Sequence, residues 1–286
     1  MPEPASRTGR VVNPIRATPR SVVAAIRAGI LDAGLAATLW QLVGARVPVV
    51  VTAADPGVEA ESLLGGLLQF APPTVRRVAL RGADETFDWL PQATELGRPG
   101  TVPAGDGDPV RPDTTTLVAR EFSDRLPACT WGEVARIAIR ATAIGYGLAT
   151  TMREDSLDGV FASLEAPPVS LTPDELSYLG CVLVLRRVDG ARQRVVAAHY
   201  VRPFVRDTHG HTQRLGPAVL STWDPARDTF EDFGWGITPE LAFRIGVRPG
   251  DFEREVDRRR AVLGTLVSAG VTGLDEVDEA LRRAEG

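Results

Sequence analysis

Short apolar runs rich in β-branched residues recur through the first half of the chain, at Val47–Thr52, Val75–Arg81, Thr115–Ala119 and Gly147–Met152. Between them lie segments with helical spacing. Leu63, Leu64, Leu67 and Leu68 share one face of Glu61–Phe70, and Val134, Ile137, Ala138, Ala141 and Ile144 share one face of Trp131–Ile144, which Gly145 ends. Strands that alternate with helices at this pitch predict a mostly parallel sheet covered on both faces. An earlier helical pair carries Val22, Val23 and Ile26, then Leu35, Leu39, Leu42 and Val43, with a break near Gly29–Asp32. The exception to the alternation is Pro91–Pro112, where five prolines and four glycines predict an irregular loop.

Cys181–Val188, then Asp189-Gly190, then Arg192–Val201 reads as a β-hairpin, because Asp-Gly supplies the positive φ of a tight primed turn. It is expected at the edge of the sheet. Residues 1–17 read as a tail and 18–202 as the α/β core. Residues 203–286 read as a helical C-terminal subdomain, with helices near Pro239–Ile245, Pro249–Ala269 and Leu274–Ala284 and a loop carrying Trp223, Phe230, Phe233 and Trp235.

All 32 basic residues are arginine; the chain has no lysine. That excludes a lysine phosphate loop, a kinase lysine, Schiff-base chemistry and a Ser-Lys pair. A net charge of −5 supplies no whole-protein field for nucleic acid, and no nucleic-acid partner is expected. Cys129 and Cys181 sit in apolar neighbourhoods and read as buried small hydrophobes. Asp207, His209 and His211, with His199 upstream, lack helical i, i+4 spacing or a cysteine partner and read as a solvated loop, so no metal site is expected. No stretch approaches the length of a membrane span and the N-terminus lacks a signal-peptide apolar run, so a cytoplasmic location is expected.

In this order, the segments from Arg20 to Val201 resemble the ATPase core of the type II/IV secretion and archaellum/pilus motor family. Ser21–Arg46 is similar to the helical lead-in, Val47–Phe70 to the strand, Walker A loop and helix, and Arg77–Leu90 to the strand and acidic box. Thr115–Asp124 is similar to the Walker B segment, and Gly147–Leu164 to the histidine box and its helix. The resemblance implies a RecA-like P-loop fold. It also places Glu121 at the Walker B glutamate, Glu85 near the acidic-box glutamate and Arg153 at the histidine-box position.

At the phosphate loop the chain departs from that pattern. Such a loop needs small residues so that backbone N–H groups can wrap phosphate, a lysine, and a hydroxyl for Mg²⁺. With Leu63-Leu64 aligned to the family's leucines, Gly57 is kept, but Glu59 stands for glycine, Ala60 for lysine and Glu61 for the Mg²⁺-binding threonine. Two carboxylates there oppose a polyphosphate. Only residues 1–17 precede the core, whereas family motors carry a domain that closes over the nucleotide; the moving half is expected to be absent. Two cysteines cannot build the tetracysteine zinc module of some members.

The resemblance therefore implies a pseudo-ATPase that acts as subunit or adaptor, with no cofactor. Its expected partners are a secretion or pilus motor paralogue or an inner-membrane platform protein, which would hold it peripherally at that membrane, and it is a candidate homo-oligomer. One alternative is an active ATPase using Mg-ATP, with Glu121 orienting water and an arginine standing for lysine. The other is a binding module whose Glu59 and Glu61 favour a cationic or metal-bearing guest. On residue chemistry alone, Glu121 reads as a strand-end carboxylate facing solvent or paired with Arg120 or Arg125, and Arg153 as an ion-pair partner. Gly65-Gly66 reads as a close helix contact, Arg258–Arg260 as a solvated helix face, and Asp232-Phe233-Gly234 as a chance copy of a kinase tripeptide.

Overall fold

The computed structural model describes residues 20–55, 57–98, 110–206 and 212–285. The tail 1–17, the Asp207, His209 and His211 group and the middle of the proline-rich loop lie outside them. The helical opening forms as α1 (Val22–Arg27) and α2 (Ala33–Gly44). Each starts on a side-chain cap: Ser21 accepts from the Ala24 N–H and Asp32 from the Leu35 N–H. Then follow β1 (Val49–Thr52), α3 (Ala60–Leu67), β2 (Arg76–Ala79), β3 (Thr115–Val118), α4 (Gly132–Ala143), β4 (Gly147–Met152), α5 (Leu157–Glu165) and the one-turn α6 (Pro173–Leu176). The hairpin is β5 (Cys181–Asp189) and β6 (Arg192–Tyr200). After it come the small pair β7 (Val205–Arg206) and β8 (Thr212–Gln213), then β9 (Ala218–Asp224), β10 (Thr229–Asp232), α7 (Thr238–Arg244), α8 (Pro249–Ala269) and α9 (Leu274–Glu285).

Eight strands make one sheet in the order β10-β9-β6-β5-β1-β4-β3-β2. The five from β5 to β2 run parallel, while β6, β9 and β10 extend the sheet antiparallel beyond β5. A strand alternates its side chains between the two faces, and β1, β3, β4 and the first half of β5 are buried on both, whereas edge strand β2 is not. Val49 and Val51 face one core with Cys181, Leu183 and Leu185, and Val50 faces the other with Leu148 and Val182. Helices α1, α2, α3, α7, α8 and α9 cover the first face, and α4, α5 and α6 the second.

Three expectations change. The hairpin is not the sheet's edge, because β9 pairs with the open backbone of β6 and β10 pairs with β9. An unpaired β6 would present a long edge with buried Val195, Ala198 and Tyr200 beside it, and β9 satisfies those backbone groups. The C-terminal section is therefore not only helical: it supplies two strands to the common sheet, and Phe252, Val256 and Leu263 of α8 join the same apolar cluster as α2. Nor is Arg258–Arg260 a solvated face throughout. The Arg259 guanidinium lies 4.8 Å from the centroid of the Trp40 ring, which stacks on Phe70, and it pairs with Glu255.

The double glycine of α3 is a packing device. A Cβ at Gly66 would lie 2.6 Å from the Arg20 carbonyl oxygen, so α3 and the start of α1 approach too closely for alanine. Cys181 is fully buried in an apolar setting, which pushes its thiol up to about 12 and leaves it inert at neutral pH. Among the described residues no helix is long and apolar enough to cross a membrane.

Candidate functional site at the carboxyl ends of the parallel strands

The chain leaves β1 through α3 on one face of the sheet and leaves β4 through α5 on the other. Since β1 and β4 are neighbours, their diverging exits open a crevice at their carboxyl ends, the place where open α/β sheets bind ligands. The residues that the family resemblance singles out, Glu85 excepted, converge there. Gly57 lies in the β1–α3 loop with φ +80°, a left-handed turn that favours glycine. Glu59 stands at the N-cap of α3 without a side-chain bond to the helix backbone, Ala60 is its buried first residue, and Glu61 projects from its first turn. Glu121 follows β3 and Arg153 follows β4.

The electrostatics of this crevice are closed upon themselves. Arg120 pairs with Glu61 at 3.1 Å, Arg153 with Glu121 at 3.0 Å and Arg20 with Glu59 at 3.2 Å. Glu121 is buried, and its second oxygen accepts from the Ser123 hydroxyl at 2.6 Å. It neither faces solvent nor pairs with Arg120 or Arg125, as its chain neighbours suggested, because the strand end turns its carboxylate toward β4. The Glu59 N–H, one of the free donors of the helix start, donates to the Gln193 side-chain oxygen at 3.1 Å. Thr52 ties β1 to the β4 exit by donating to the Glu154 carbonyl at 2.7 Å and accepting from the Glu154 N–H at 2.9 Å. Arg186 donates to the Asp155 carbonyl at 2.6 Å, and a Cβ on Gly57 would meet the Arg187 guanidinium at 3.1 Å.

Glu85 stands apart from this group. Its side chain accepts from the Arg81 N–H (3.0 Å), the Phe87 N–H (2.9 Å) and the Trp89 indole N–H (3.0 Å), so its hydrogen bonds stay within its own loop. They hold Phe87 at φ +53°, a conformation a non-glycine residue adopts only when its surroundings fix it. Glu85 is a loop organiser.

Chemically, the crevice holds three carboxylates with three counter-cations already on them. A cationic guest at Glu59 or Glu61 would have to displace Arg20 or Arg120. Among the described residues no group of three His, Cys, Asp or Glu is placed to hold a metal ion. Arg20, Arg120 and Gln193 belong to the site, yet sequence reasoning did not single them out as functional. Their partners lie 39, 59 and 134 residues away in the chain, so no local pattern marks them.

No protein-family model matches the chain. Over 256 residues, 84% of this chain and 89% of the relative, it is 23% identical to the uncharacterized protein MJ1287 of Methanocaldococcus jannaschii.

Proposed function

We propose that this chain is a RecA-like, non-hydrolysing relative of the secretion and pilus motor ATPases, working as a subunit or adaptor beside an active motor ATPase or an inner-membrane platform protein. Two features support the family part of this reading. The segments follow the order of the motor core, and a strand–loop–helix unit opens onto the crevice at the switch in chain direction. One observation carries the non-hydrolysing part: Glu59, Glu61 and Glu121 each hold an arginine in the space where phosphates would need one free. Binding a triphosphate would require breaking those pairs while two carboxylates remain beside it. On this reading the protein acts in the cytoplasm and its partner holds it at the inner membrane.

A thermal-unfolding titration with Mg-ATP, Mg-ADP and Mg²⁺ alone tests it. A ligand at 100 times its Kd adds about 2.7 kcal/mol to a folded protein that alone binds it. No shift is expected at millimolar nucleotide. A nucleotide-specific rise in Tm overturns the reading in favour of an active cleft, and an assay of Glu121→Gln would then establish whether that carboxylate orients water. The adaptor role predicts that a purified motor ATPase of the same organism co-elutes with this chain.

A further inference from the structure

At the opposite end of the sheet, by the amino end of β5, the molecule presents an aromatic knob. Phe243 of α7 is 87% exposed and Trp235, just before α7, is 75% exposed. Exposed aromatics of this size are the residues that dominate protein interfaces. Arg244 and Arg248 follow directly on Phe243 and Val247, and neither makes an ion pair or side-chain hydrogen bond. That is unusual here, because most arginines among the described residues are paired or bonded to a carbonyl.

Beside the knob lies a hole. A cavity of about 120 Å³ is lined by apolar side chains that include Phe161, Leu176, Val201 and Leu215. An apolar cavity of about 150 Å³ accepts benzene, so this one is close to the size of a phenyl ring. Three charged residues stand at it. Arg202 already pairs with Glu240 at 2.7 Å and Arg214 with Asp174 at 2.7 Å. Glu165, at the end of α5, is exposed, and its carboxylate makes no ion pair or hydrogen bond among the described residues.

Knob and hole adjoin. Arg202 reaches from the cavity to Glu240, and Phe243 follows Glu240 by three residues on α7, the spacing of neighbours on a helix surface. One patch thus carries a protruding ring with unpaired positive charge and a ring-sized apolar cavity with unpaired negative charge. A surface that holds both halves of a contact is self-complementary, and a two-fold axis joins two such surfaces twice over.

We infer that two copies of this chain pair through this end, Phe243 of each entering the apolar cavity of the other and Arg244 or Arg248 meeting Glu165 across the two-fold. The inference does not depend on what the crevice binds, since the two sites occupy opposite ends of the sheet.

Sedimentation velocity of the full chain over the micromolar range tests it. A dimer is expected. Phe243→Ser is expected to weaken it about tenfold or more, as loss of a central anchor does, and Arg244→Glu with Arg248→Glu is expected to act likewise. Adding Glu165→Arg to that pair restores opposite charges and should recover the dimer. Circular dichroism checks that each variant folds, which the exposure of Phe243, Arg248 and Glu165 favours and which matters most for half-buried Arg244. A wild-type monomer throughout, a dimer indifferent to Phe243→Ser, or a charge swap that fails to restore association would each overturn the inference. So would a monomer that binds phosphatidylglycerol vesicles through Phe243, since the knob would then serve a lipid surface.

Discussion

At the carboxyl ends of the parallel strands Glu59, Glu61 and Glu121 are each held by an arginine, whereas at the amino end two arginines and a glutamate stand unpaired beside exposed aromatics. Charge that is satisfied internally has little left to give a ligand, because a newcomer must first break what is there. Unpaired charge around desolvatable apolar surface is where binding energy remains. The contrast teaches that the crevice, though placed where an α/β sheet binds ligands, has its carboxylate charge satisfied internally, whereas the amino end leaves charge and apolar surface without internal partners.

Experiments can break or sharpen that contrast. The largest effect is expected from Leu64→Ala, which opens a cavity beneath the crevice at a fully buried position of α3 and should cost about 2–5 kcal/mol in denaturant unfolding. Phe243→Ser, on the exposed end, should stay within about 0.5 kcal/mol in unfolding of the monomer. Equal costs would erase the distinction between crevice and docking face.

A sharper trial introduces the phosphate-loop chemistry that the proposed family carries. Glu59→Gly, Ala60→Lys and Glu61→Thr together remove two carboxylates, release Arg20 and Arg120, and supply a cation and a hydroxyl at the start of α3. The triple variant should gain a Mg-ATP-dependent rise in Tm worth about 2–3 kcal/mol at saturating ligand, where the parent shows none. A silent triple variant would mean that the crevice is closed by more than its charges.

Glu121→Leu leaves the Arg153 guanidinium and the Ser123 hydroxyl without their acceptor. Arg153 remains partly exposed to water, so the cost is expected at about 1–2 kcal/mol rather than the 3–5 of a fully buried pair. No loss in chemical denaturation would show that the pair contributes nothing to the fold.

The smallest effect concerns pH. His199 on β6 is half-buried, and burial lowers its pKa from the ordinary 6.5, with Asp158 opposing. The unfolded chain therefore binds a proton more readily than the folded one, so stability is full above about pH 6.5 and declines as pH falls below it. His199→Gln should flatten this slope between pH 7 and 5. An unchanged slope would assign it to other groups.

Much of the architecture was legible in the residues. The β-branched run at Val47–Thr52 and the leucine face after it mark a strand and a helix because both patterns arise within one element, and the break at Gly29–Asp32 coincides with the Asp32 cap. The place of the hairpin was not legible. Its partner β9 begins 18 residues beyond the end of β6, and nothing local in either strand declares which edge it will meet. At the site, Gly57, Glu59, Ala60, Glu61, Glu121 and Arg153 come to one crevice, but Glu85 does not, because its neighbours Phe87 and Trp89 engage its carboxylate.

The sequence by itself determined the alternating strand-and-helix frame, the two-sided burial of the parallel strands and the absence of any lysine for phosphate, since periodicity and composition are properties of short stretches or of the chain as a whole. Only the tertiary structure decided that Arg20, Arg120 and Arg153 close over three carboxylates, that β9 and β10 widen the sheet, and that Phe243 stands beside a ring-sized cavity. Those outcomes join residues far apart in the chain, and such pairings exist only once the sheet has brought them within a few ångströms, where charge and shape act.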